Sequence, residues 1–137
     1  MKLYAFSIGD KLMLKKPWTF TVQFEYWNQN FLNLLGLLPD RYSYAHLMGW
    51  KDADGNCYKD CDFYNPDKHA AKWEVTLPIK TVLIVGRIFI HKRDKGSDSI
   101  IFVIEQTTHE KIGKEKPRFW VKLEFTNEIE FEVLNAF

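Results

Sequence analysis

The chain has 137 residues, 46% apolar and 16% aromatic, and its 11 Phe, 6 Tyr and 5 Trp exclude an intrinsically disordered polymer. A net charge of +1 excludes a wholesale mimic of a polyanion, which needs a strongly acidic balance. Two cysteines are too few for the disulfide framework of a small secreted domain, and the length suffices for one domain, residues 1–137, whose core needs neither disulfide nor metal.

The first ten residues, MKLYAFSIGD, hold a short apolar run stopped by Asp10, unlike a signal peptide, so a cytoplasmic chain is expected. Residues 2–8 read as a first strand closed by Gly9-Asp10, and Lys11 to Lys15 as a second. From Trp18 to Tyr26 every even position is aromatic or Val and every odd position between them is polar, the period of a half-buried strand. Phe31, Leu34, Leu35 and Leu38 then recur at helical spacing, which predicts one short helix over 31–38 with Asn30 as its N-cap and Pro39-Asp40 as its end.

Tyr42, Tyr44, His46, Met48 and Trp50 fall on one parity again, and Asp54-Gly55 is a hairpin signal ahead of Cys57 to Tyr64. Were 57–61 extended, the α-carbons of Cys57 and Cys61 would stand about 13 Å apart, too far for a disulfide, so both are expected as thiols. Trp73 to Leu77 reads as a strand running to a bend or bulge at Pro78. Residues 79–104 read as two apolar strands joined over Arg93 to Asp98. The first of them carries apolar side chains on both parities, so it is expected inside a sheet that is covered on both faces. Residues 106–117 have no period and read as an exposed loop. Phe119, Val121, Leu123 and Phe125, a turn near Asn127, and Ile129, Phe131 and Val133 predict a closing hairpin with one dry face. The expected fold is all-β and mainly antiparallel, a single-domain β-sandwich or partly closed barrel with one short helix.

Motifs that carry chemistry are few. The run Asp52 to Asp62 alternates oxygen-bearing residues, but as an EF-hand loop it would place Cys57 where Gly is needed and Phe63 where the bidentate Glu belongs. Zinc on Cys57 and Cys61 with His46 or His69 would require a curved loop. No metal and no other cofactor is therefore expected. The four histidines, His46, His69, His91 and His109, stand in no catalytic context, and the chain lacks a nucleophile elbow, a P-loop and a dinucleotide glycine pattern. The balance leans against an enzyme without deciding the question, and a metal-independent hydrolase or nuclease without a linear motif is the third reading.

Charge is uneven: residues 70–122 carry 11 Lys and Arg against 6 Asp and Glu, while residues 123–137 carry 4 Glu and no Lys or Arg. The basic side chains Lys92, Arg93, Lys95, Lys111, Lys114, Lys116 and Arg118, with His109 and Trp120, mark a candidate partner-binding surface around residues 91–98 and 109–120. Trp27 and Trp120 also fall on the parity opposite to the dry face of their strands, where aromatic side chains anchor partners. The expected function is stoichiometric association with a macromolecule, first a protein, a homo-oligomer included, as an inhibitor or adaptor. A nucleic-acid-binding β-domain using the 91–95 and 111–118 loops is the alternative. No membrane partner is expected, because the apolar runs are too short and too interrupted by charge to span one.

Overall fold

The computed structural model describes residues 5–38, 71–91 and 98–134. The strands expected within 42–64, the Asp54-Gly55 turn, both cysteines, His46, His69 and the basic residues Lys92, Arg93 and Lys95 lie outside the described residues. In chain order the elements are β1 (Lys11–Leu14), β2 (Trp18–Gln23), a 3-10 turn (Tyr26–Asn28), α1 (Gln29–Leu34) and β3 (Lys72–Leu77). They continue with β4 (Val82–Phe89), β5 (Ser99–Gln106), β6 (Arg118–Lys122), a second 3-10 turn (Leu123–Glu128) and β7 (Phe131–Val133).

All pairings are antiparallel. A five-stranded sheet in the order β6-β5-β4-β1-β7 faces a two-stranded sheet of β2 and β3, and the sheets form an open sandwich that does not close into a barrel. The layers meet through aromatic rings. Phe119 of β6 stacks on Phe20 of β2 at 5.2 Å and on Phe31 of α1 at 4.9 Å, with Phe102 of β5 at 5.7 Å. Trp18 stacks on Phe20 at 4.0 Å, so much of the aromatic excess is absorbed by the core.

Several local expectations are corrected. Residues 5–10 form no strand and turn at Ile8-Gly9. The alternation of β2 stays inward through Phe24, but Tyr26 is 59% exposed because the chain leaves the extended conformation after Glu25 and enters the 3-10 turn. The helix starts before Asn30 and ends well before Pro39, and its buried face is Phe31, Leu32 and Leu35. Its stop is a Schellman arrangement: Gly36 has φ +69°, the Leu37 N–H donates to the Leu32 carbonyl at 3.0 Å, and the Gly36 N–H donates to that of Asn33 at 3.0 Å. Ile79 and Lys80 make a turn, so β4 begins only at Val82.

Two further differences set the architecture. β4 lies inside the sheet, between β5 and β1; Val82 and Ile84, buried and half-buried, lie on the face opposite to Leu83 and Val85, and beyond them the strand changes phase. Val85 pairs with Phe102 and Arg87 with Ile101, so Gly86 is an extra residue in a β-bulge and the alternation changes phase there. Leu83 and Val85 point to the core before it, Ile88 after it. The expected closing hairpin does not form either. The second 3-10 turn carries the chain from β6, at one edge of the sheet, to β7, which pairs with β1 at the other edge. Among the described residues no helix is long and apolar enough to cross a membrane.

Candidate interaction site on the outer sheet face

The face of the larger sheet that turns away from the core carries Lys11, Ile84, Arg87, Phe89, Ile101, Val103, Arg118 and Trp120, as the register requires. Part of it is dry. Ile101 is 3% exposed and is flanked across the strands by Arg87 and Trp120. The bulge at Gly86 matters here, because in an unbulged strand of the same residues Arg87 would lie on the same face as Val85 and point to the core.

Trp27 is the centre of this surface. Its ring lies under two guanidinium groups, with Arg118 Cζ 4.6 Å and Arg87 Cζ 5.5 Å from its centroid. Tyr26 meets it edge-on at 5.3 Å, and Phe89 stands 6.5 Å away. Both arginines are exposed, and among the described residues neither guanidinium forms an ion pair.

The 3-10 turn that presents Trp27 is fixed at two points. Glu25 is its N-cap and accepts the Trp27 N–H at 2.9 Å, which satisfies a donor left free by the first turn. Burial pushes the Glu25 carboxyl above its ordinary range, while the Trp27 and Tyr26 N–H groups and the Arg118 charge pull it down. Asn28 is fully buried, and its amide acts as a short piece of neighbouring strand. Its Oδ1 accepts the Trp120 N–H, and its Nδ2 donates to the Trp120 carbonyl at 3.0 Å and to the Gln23 carbonyl at 2.9 Å. The open edge of β6 is thereby closed at Trp120, and the expected cap role of Asn30 goes to Asn28 by position only, since its side chain is committed to β6.

The residues singled out from the sequence do not form one surface. β5 runs from Ser99, beside Asp98 and His91, to Gln106, roughly 24 Å at strand rise. The loop 107–117 starts at its far end, so His91 and His109, the two described histidines, stand at opposite ends of the strand. His109 accepts the Lys111 N–H through Nδ1 at 3.3 Å and serves the turn. Lys111 sends its ammonium to the Leu35 carbonyl at 3.3 Å, where the positive charge complements the C-terminus of α1. Lys114 and Lys116 are exposed, while Ile112 and Pro117 are buried and anchor a loop that was expected to lie wholly outside. Of the described candidates, only Arg118 and Trp120 reach the Trp27 surface. Tyr26, Arg87, Glu25 and Asn28 were missed; the signal for Arg87 was a lone charge after a glycine within an apolar strand, the mark of a bulge.

A groove of about 410 Å³ opens at the His91 end, lined by Phe6, Ile88, Ile90, Asp98, Leu123 and Thr126 among others, and neither described histidine lines it. Among the described residues no three metal-ligating side chains come together. Comparison with known proteins returns no match: no protein-family model, no curated protein and no solved structure is similar to this chain.

Proposed function

We propose that this protein works by stoichiometric association with a protein partner, as an inhibitor or adaptor, through the outer sheet face around Trp27. The observation that carries this reading is a cluster of exposed Tyr26, Arg87 and Arg118 around a half-buried Trp27, held by a buried amide and a carboxylate cap. Trp, Tyr and Arg are the residue types that dominate the energetics of protein interfaces, because each joins a large apolar area to a polar handle. A pre-ordered cluster also loses little side-chain freedom on docking. A nucleic-acid ligand is less well supported. The Trp27 ring is already covered by guanidinium groups, so it offers no open platform for a base, and Lys111 is engaged with α1.

Affinity capture from host extract tests this reading, using the wild type, a Tyr26→Ala/Trp120→Ala double variant and a Lys114→Gln/Lys116→Gln double variant. The expected result is a protein retained by the wild type and the lysine variant after nuclease treatment, and lost from the aromatic variant. Capture that disappears with nuclease or with the lysine pair supports nucleic acid instead.

A further inference from the structure

Two positive groups gather on one ring, and among the described residues neither of them forms an ion pair. Arg87 and Arg118 come from strands on either side of β5, yet both guanidinium groups settle over Trp27, which leaves their carbons at most about 10 Å apart. Like charges repel, so this gathering is stabilised by the ring and would be stabilised further by an anion between or beside the two forks. Both side chains are exposed, and stacking removes much of the rotamer freedom that an arginine would otherwise lose when it binds. Glu25 lies close enough to Arg118 to feel its charge, but its carboxylate is spent on the Trp27 N–H.

Building on the docking face proposed above, we infer that Arg87 and Arg118 form a receptor for side-chain carboxylates of an acidic segment on the partner protein, with the partner's apolar side chains laid against Tyr26, Phe89 and Trp120. Charge complementarity selects this occupant. Guanidinium forks match carboxylates in bidentate geometry, and the alternation of arginine with half-buried apolar positions suits a strand of alternating acidic and apolar residues. A polyphosphate is disfavoured, since a nucleic-acid backbone crossing the same face would run over Glu25 and Glu105.

The test uses a twelve-residue peptide of alternating Glu and Leu with blocked termini, its counterpart with Gln for Glu, and a twelve-nucleotide oligothymidine, each titrated into the full chain while tryptophan fluorescence is followed. The Glu peptide is expected to bind the wild type and Lys114→Gln alike. It should bind Arg118→Gln and Arg87→Gln at least tenfold more weakly, each variant being checked as folded by circular dichroism. Arg118→Lys, which keeps the charge and loses the fork, should recover only part of the loss. The Gln peptide should bind at least tenfold more weakly than the Glu peptide. Equal affinity for the two peptides, absence of binding by the Glu peptide, indifference to both arginine variants, or Arg118-dependent binding of the oligothymidine alone would each overturn the inference. A captured partner that is lost on Tyr26→Ala/Trp120→Ala but kept on Arg87→Gln and Arg118→Gln overturns the carboxylate receptor and leaves the docking face standing.

Discussion

Asn28 does at one position what a whole strand does elsewhere. Its side-chain amide has the donor and acceptor of a peptide group, and it presents both to Trp120 while also holding the end of β2 through Gln23. Replacing it with Ala leaves the part-buried N–H and carbonyl of Trp120 and the buried Gln23 carbonyl without their partner, so Asn28→Ala should cost about 1–3 kcal/mol in urea unfolding. A loss under about 0.5 kcal/mol would mean that the edge is satisfied without it. Glu25, the other fixing point, has the opposite pH behaviour to a salt-bridged carboxylate. Burial raises its affinity for a proton in the folded chain. Its contribution to stability is therefore fully present below the ordinary carboxylate value and is lost as pH rises through the raised one. In paired unfolding series, Glu25→Gln should gain on the wild type as pH rises above the ordinary carboxylate range. A stability difference that stays flat, or moves toward the wild type, contradicts this. Neither residue's role could be read from the chain, because Asn and Glu at a turn signal a cap and nothing in their spacing names β6 as the partner.

At the scale of elements, what alternation can state was legible and what it cannot state was not. The even positions of β2 and the run Ile100, Phe102 and Ile104 of β5 point to the core as their period requires. Period two assigns faces but not neighbours, so Ile129, Phe131 and Val133 were assigned to a hairpin with β6, although their strand pairs with β1. It also assumes an unbroken phase, and Gly86 breaks it. A Cβ at this position would stand 3.3 Å from the Ile101 carbonyl oxygen, a backbone atom fixed in the ladder. Gly86→Ala is thus expected to destabilise by about 1–3 kcal/mol, as overpacking does. Because the same bulge directs Arg87 outward, the variant should also change the near-ultraviolet dichroism of Trp27, relative to Trp27→Phe controls. Wild-type stability together with an unaltered spectrum would show that the strand absorbs the methyl group without moving Arg87.

For the molecule as a whole, composition announced more aromatic area than a small core was expected to hide, and the outcome divides in two. Trp18, Phe20, Phe31, Phe102 and Phe119 are spent on joining the two sheets. Tyr26, Trp27 and Trp120 stand on the opposite face with two arginines, the face proposed above for a partner. Of the described candidates, His91 and His109 stand at opposite ends of β5 and Lys111 is turned to α1, so residues grouped along the chain do not all meet in space. Hydroxyl-radical footprinting of the chain with and without its captured partner tests this division most directly, since Tyr and Trp side chains report their own exposure. Oxidation of Tyr26, Trp27 and Trp120 should fall several-fold in the complex while that of Ile79, on the turn before β4, stays unchanged. Unaltered oxidation at those three rings, with protection confined to residues 109–116, would contradict the assignment of the outer face as the docking surface.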